Sequence, residues 1–297
     1  MKKNITKNNF RAVLEKENIY NYQLAVVGDH IKIGENVTVN NNFNVCREVR
    51  SPKTPQNPEP TAKQPRIDLG DAPEISTFFD RTSELSTLKQ WILENRTRLI
   101  TILGLSGSGK SAIALQLIQH IQYEFDCIIW RSLRNAPPLQ TLQTDLIQFC
   151  RGGAPVPAPE ERATTGGLPL EYLRSHRCLI VLDDVQTIFS SQQLAGNYQP
   201  GYENYGTFFK QIAESCHNSC IVLISWEKPR EIAALESHPK NCQTLQLNGL
   251  GEPAREIFTE KGLAESEKWS ELIDLYRGNP LWLNTVAAAI QDLFRAC

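Results

Sequence analysis

One octapeptide limits what this chain can fold into. Gly104-Leu105-Ser106-Gly107-Ser108-Gly109-Lys110-Ser111 satisfies the spacing GxxxxGK[ST] at every fixed position. It follows the apolar run Leu99 to Leu103 and precedes Ile113, Leu117, Ile118 and Ile121, which repeat at helical spacing. Strand, glycine-rich turn and helix in that order make a cradle for phosphate. The glycines let backbone N–H groups curl around a bound anion, and the helix N-terminus adds positive dipole. Lys110 supplies a point charge to the β- and γ-phosphates, and the Ser111 hydroxyl is placed to ligate Mg²⁺. Gly104, Ser106, Gly107, Ser108, Gly109, Lys110, Ser111 and Ala112 are therefore the candidate phosphate-binding residues.

A cradle of this kind works with a second strand that ends in carboxylate. Leu179-Ile180-Val181-Leu182-Asp183-Asp184 supplies one, some 75 residues downstream. Asp183 is the expected Mg²⁺ partner. Asp184 is either the group that polarises an attacking water or a cap on the next helix. Short apolar runs at Leu99–Leu103, Cys127–Trp130, Cys178–Leu182, Cys220–Ser225 and Thr244–Leu247 alternate with amphipathic stretches, the pattern of a parallel sheet buried on both faces. After Leu250 three helices are expected, at Pro253–Lys261, Ser266–Tyr276 and Leu281–Phe294. The fold class is α/β: a P-loop parallel sheet with flanking helices, followed by a small helical domain.

The first 66 residues have a different texture. Ten of the first 50 are Asn, and Leu24 to Val45 alternates β-prone runs with turn residues, which predicts a small hairpin or meander after a short helix near Phe10–Lys16. Five prolines between Ser51 and Arg66 mark an extended linker. The expected domains are thus 1–50, a linker at 51–68, a nucleotide-binding domain at 69–250 and a helical lid at 251–297. Residues 1–66 hold 11 basic and 6 acidic side chains, against 20 and 27 in the remainder, so head and body differ in sign. No aromatic row or recognition-helix pattern accompanies the head's charges, and nucleic acid is not the expected partner. The eight cysteines lie in apolar runs or singly, which favours buried thiols over a disulfide framework, and Cys216-His217 to Cys220 lacks the partner pair a zinc cage requires. No run of about 20 apolar residues occurs, so no membrane span is expected and a cytoplasmic setting is.

Several separated strings give a family resemblance. Phe78-Phe79-Asp80-Arg81-Thr82-Ser83-Glu84-Leu85, IIWRSLRNAPPL, LIVLDDV, LISWEKPREIAALE and GNPLWLNTVAAAIQDLF occur in one order from Leu69 to Phe294. Together they resemble the NB-ARC group of STAND nucleotide-dependent switch ATPases, especially bacterial members with propeller repeats. The resemblance implies that Arg81 approaches the adenine, where the residues alone also allow a surface arginine. It implies that Pro280, in Gly278-Asn279-Pro280-Leu281, packs on the adenine, where the residues alone read a helix-start proline. It also implies ATP or ADP with Mg²⁺ as the bound group, and a protein partner or self-association as the output.

Three departures qualify this. Asp80 replaces the glycine of the family's first string. Trp226 stands where the family carries an arginine that senses the γ-phosphate, and an indole provides neither fixed charge nor five donors. Lys228 and Arg230 are the nearby cations able to compensate. The sequence also stops at Cys297, before the winged-helix domain and sensor repeats that the family normally adds, so the resting-state lock and sensor are expected to be missing. Three functions stay open: a slow-hydrolysing nucleotide switch that holds an N-terminal adaptor, a turnover ATPase, and a regulatory fragment in which nucleotide is structural.

Overall fold

The computed structural model describes residues 23–27, 30–34, 64–75, 77–152, 168–190, 195–238, 240–263 and 267–295. The chain divides into two compact units, Met1–Pro60 and Thr61–Cys297. In the first, β1 (Gln23–Val27) pairs antiparallel with β2 (His30–Gly34). The helix expected near Phe10–Lys16, the segment after Gly34 and the linker up to residue 63 lie outside the described residues.

The second unit is built on six parallel strands in the order β3-β5-β6-β7-β4-β8. These are β3 (Arg66–Asp68), β4 (Leu99–Leu103), β5 (Cys127–Ser132), β6 (Cys178–Asp183), β7 (Cys220–Ser225) and β8 (Cys242–Gln246). Five fall on the apolar runs. The sixth, β3, corrects the expected boundary, because Arg66–Asp68 belongs to the sheet and not to the linker. Its ladder to Cys127–Ile129 is made by backbone, and a short edge strand with polar ends leaves no apolar run to read.

Alternate residues of the central strands enter two cores, as the period of 2 requires. Cys127, Ile129, Ile180, Leu182, Ile221 and Leu223 face one core. Ile128, Trp130, Leu179, Val181, Val222 and Ile224 face the other. α1 (Thr82–Lys89) and α2 (Lys110–Ile121) cover the second face. α3 (Leu139–Cys150), α4 (Leu168–Ser175), α5 (Glu203–Glu214) and α6 (Ile232–Leu235) cover the first. The last three helices, α7 (Arg255–Glu260), α8 (Lys268–Leu275) and α9 (Pro280–Arg295), form the lid around a core of Ile257, Phe258, Trp269, Ile273, Leu283 and Ala287. Phe79, from the segment before α1, is buried in that same lid core and so ties the two ends of the unit together. Among the described residues no helix is long and apolar enough to cross a membrane.

Candidate nucleotide site

Strand order fixes where the site lies. β4 sits between β7 and β8, while its chain successor β5 lies three places away, beyond β7 and β6, so the chain reverses direction across the sheet beside β4. Open α/β sheets bind ligands at the carboxyl ends of strands near such a reversal. The loop Gly104–Gly109 leaves β4 there. Gly107 has φ of 78° and Gly109 of 93°, both left-handed, which is what a glycine permits and a side chain resists. Gly107 is also constrained by its neighbours: an added Cβ would stand 2.5 Å from Leu281 Cβ and 2.9 Å from Asn279 Oδ1.

Helix α2 then starts on the loop. Ile113 N–H donates to the Gly109 carbonyl at 3.0 Å, so the amides of Lys110, Ser111 and Ala112 precede the first intrahelical bond and face the cradle. Lys110 Nζ donates to the carbonyls of Gly104 (2.9 Å) and Leu105 (3.0 Å). Burial lowers its pKa, while the charges of Asp183 and Asp184 oppose that shift. Ser111 Oγ donates to Asp183 Oδ2 at 2.8 Å, which joins the two expected metal partners across 72 residues of sequence. Burial raises the Asp183 pKa, and the hydrogen bonds from Ser111 and the Asp184 amide work the other way.

The donor set fits a magnesium nucleotide. Lys110 is a cation turned onto neutral carbonyls, and Ser108 Oγ is buried without a hydrogen-bond partner. Ser111 and Asp183 present hard oxygen atoms side by side, the ligand type Mg²⁺ takes. A buried carboxylate in that position is stabilised by a divalent cation far better than by a hydroxyl alone.

Asp184 lies one residue beyond β6 at φ of 56°, unusual for a residue with a side chain. Three groups hold it there. Ser132 Oγ (3.3 Å) and Arg134 Nε (3.2 Å) donate to its Oδ2, and Gln186 Nε2 (3.0 Å) donates to its Oδ1. Arg134 was not singled out from sequence, and nothing in the string WRSLRNAPPL marks it. The register does so, because Ser132 pairs with Asp183 and brings the end of β5 level with the carboxylates.

Trp226 follows β7, which is hydrogen-bonded to both β4 and β6, so the position lies between the phosphate loop and Asp183. Trp226 is 55% exposed. The two expected substitutes are engaged elsewhere: Lys228 Nζ donates to both carboxylate oxygens of Glu236 (2.8 and 2.9 Å), and Arg230 Nε donates to Glu231 at 2.9 Å. Among the described residues neither pairs with Asp183 or Asp184.

Arg81 is buried, not at the surface. Its guanidinium donates to Glu84 (2.8 Å) and to the carbonyls of Ser108 (3.3 Å) and Asn248 (2.6 Å), so it braces the phosphate loop against the chain that leads into the lid. The lid grips the same loop from the other side. Asn279 Nδ2 donates to the Ser106 carbonyl at 2.9 Å, and Leu281 N–H donates to the Gly107 carbonyl at 3.3 Å. Pro280, the first residue of α9, lies between those two contacts in the chain. Gly278, at φ of 62°, makes the turn that lets them form, and an added Cβ would stand 1.8 Å from the Leu250 carbonyl oxygen.

A phosphate loop after the first core strand, a carboxylate-ended strand one place removed and a helical lid on the loop define a P-loop NTPase fold. Residues 81–196 match the family described as the NB-ARC domain. A curated relative, an uncharacterized WD repeat-containing protein of Nostoc sp., is 40% identical over 245 residues, or 79% of this chain. The chain spans about a fifth (20%) of that relative's length. Two solved structures are similar at low identity. One is a STAND protein with a tetratricopeptide repeat sensor from Pyrococcus horikoshii (18% identity, 76% of this chain and 31% of that one, TM-score 0.49). The other is Cdc6p from Pyrobaculum aerophilum (16%, 73% and 65%, TM-score 0.49).

Proposed function

We propose that this chain is a nucleotide-dependent switch that binds ATP or ADP with Mg²⁺, hydrolyses ATP slowly and couples the bound state to a protein partner or to self-association. The observation that carries this reading is the direct grip of the lid on the phosphate loop, through Asn279 to Ser106 and Leu281 to Gly107. A loop that changes its hydrogen bonds when phosphate binds cannot leave those contacts untouched, so phosphate occupancy is communicated to the lid. In this reading the amides of Gly107 to Ala112 bind phosphate and Lys110 leaves its two loop carbonyls to neutralise it. Ser111 and Asp183 hold Mg²⁺, which when bound offsets phosphate charge and orients the β- and γ-oxygens. Asp184 positions water. Arg81 steadies the loop on the adenine side, and Pro280 packs on the base. The setting is cytoplasmic, and neither membrane nor nucleic acid is a partner.

One observation favours more hydrolysis than Trp226 alone would allow. Arg134 is 80% exposed at its side chain and already touches Asp184, so it is a cation within the chain able to meet charge developing on the γ-phosphoryl group.

Thermal unfolding with and without ADP and Mg²⁺ tests the proposal. Wild type should gain about 2.7 kcal/mol at one hundred times the dissociation constant. Lys110→Ala should fold, since the side chain's hydrogen bonds go only to two carbonyls of its own loop, those of Gly104 and Leu105, yet gain almost nothing. Equal gains in the two proteins would overturn the assignment of the site.

A further inference from the structure

Three thiols meet in the core at the end of the sheet away from the phosphate loop. Cys127 opens β5, Cys178 opens β6 directly opposite it in register, and Cys150 ends α3. Their Sγ atoms all lie within 4.8 Å of one another, and the residues are 3%, 0% and 4% exposed. Cys220 and Cys242, the other described free thiols, are equally buried but stand outside this group. The trio therefore reflects convergence of three elements and not merely the abundance of buried cysteine.

The geometry suits a particular class of ion. A metal at the centre of an equilateral triangle with metal–sulfur bonds of about 2.3 Å sets the sulfurs about 4.0 Å apart, inside the observed limit. Zn²⁺ takes four ligands, and among the described residues no histidine, carboxylate or further thiol completes the group. Water is not available as a fourth ligand either. The neighbouring void of about 10 Å³ is at the lower limit for one water, and its lining, including Leu146, Ile147, Leu173 and Ile180, offers none of the polar partners a buried water needs. Soft thiolates in a dry three-donor site select Cu(I).

Two polar groups stand beside the trio. Tyr172 Oη lies 3.6 Å from Cys127 Sγ. The Arg66 guanidinium donates to the carbonyls of Phe149 and Cys150, both at 3.0 Å. Beside Arg66, an open groove of about 440 Å³ lined by Phe149 and Gly152 gives access to this end of α3.

We propose that Cys127, Cys150 and Cys178 form a three-thiolate site for one Cu(I) ion. Binding replaces three S–H bonds by three S–Cu bonds and releases three protons to solvent, with no change of oxidation state. The site ties together β5 and β6, the strands whose far ends carry Ser132, Asp183 and Asp184, so the ion clamps the frame of the carboxylate pair from below.

Anaerobic titration of the full chain with Cu(I), against the chromophoric chelator bathocuproine disulfonate, tests this. One equivalent should be withdrawn from the chelator, with X-ray absorption reporting three sulfur neighbours. Cys150→Ala, at a helix end where repacking is easiest, should weaken binding on the order of a hundredfold or more. Cys127→Ala should do the same, and Cys242→Ala, an equally buried thiol outside the trio, should not. Circular dichroism and metal-free melting of each variant establish that the chain is folded. Failure of wild type to compete for Cu(I), equal loss in Cys242→Ala, unchanged binding in folded Cys150→Ala and Cys127→Ala, or tighter binding of Zn²⁺ than of Cu(I) would each overturn the proposal.

Discussion

Replacing Asn279 should loosen the lid from the phosphate loop by an amount that the structure sets. The side chain does two things. Its Oδ1 accepts the amides of Leu281 (3.1 Å) and Trp282 (3.4 Å), which makes it the N-cap of α9, and its Nδ2 donates to the Ser106 carbonyl at 2.9 Å. Loss of an N-cap costs about 1 kcal/mol, and loss of one hydrogen bond to a carbonyl that water can reach costs roughly another 1. Asn279→Ala should therefore destabilise the unit by about 2 kcal/mol. For a unit of this size that corresponds to a fall of about 4–8 °C in Tm. Asn279→Asp separates the two roles. It retains a good cap but loses the donor, so its Tm should fall by only about half as much. It also sets a carboxylate beside the phosphate loop, and the gain from ADP and Mg²⁺ should shrink accordingly. Scanning calorimetry of the three proteins, with and without ligand, gives both quantities. A wild-type Tm for Asn279→Ala, or a wild-type ADP gain for Asn279→Asp, would refute the idea that this residue latches lid to loop.

Other outcomes follow from the same geometry. Trp226→Arg should raise the preference for ATP over ADP by about tenfold or more, measured by competition binding, because a cation would stand between the loop and Asp183; an unchanged ratio would remove that position from γ-phosphate recognition. Arg134→Ala should slow steady-state phosphate release while leaving ADP affinity within a few-fold, and equal turnover would show that its pairing with Asp184 is only structural. A chain starting at Thr61 should bind ADP as the full chain does, whereas one starting at Leu69 loses β3 and should melt lower; inability of the first to fold would mean that the head is needed by the sheet. The buried His217 should make stability acid-sensitive. Burial pushes its pKa down to about 4 from 6.5, so the neutral ring is favoured when folded and its contribution is complete above pH 6.5 and lost as pH falls toward 4. That amounts to about 3 kcal/mol. His217→Gln should flatten the pH dependence in urea melts across that window, and an unaltered profile would place the titration elsewhere.

The local structure of this protein was legible in its sequence wherever neighbours in the chain are neighbours in the candidate site. Gly104 to Ser111 folds as strand, turn and helix because glycine permits positive φ and the helix that follows has an apolar stripe, and both facts are local. The five apolar strands and three lid helices were readable for the same reason, since burial on both faces or along one stripe leaves a period in the residues. Pairings across the sheet left no such trace. The Ser111–Asp183 bond, the grip of Asn279 on Ser106, the internal position of Arg81 and the reach of Arg134 to Asp184 depend on strand order and on the register of Ser132 with Asp183. β3 was hidden because its place is secured by backbone hydrogen bonds, which any side chain allows. The convergence of Cys127, Cys150 and Cys178 was hidden likewise. Each sits in its own apolar run as an ordinary core residue, and only the parallel alignment of β5 with β6, capped by the end of α3, sets the three sulfurs within 4.8 Å of one another.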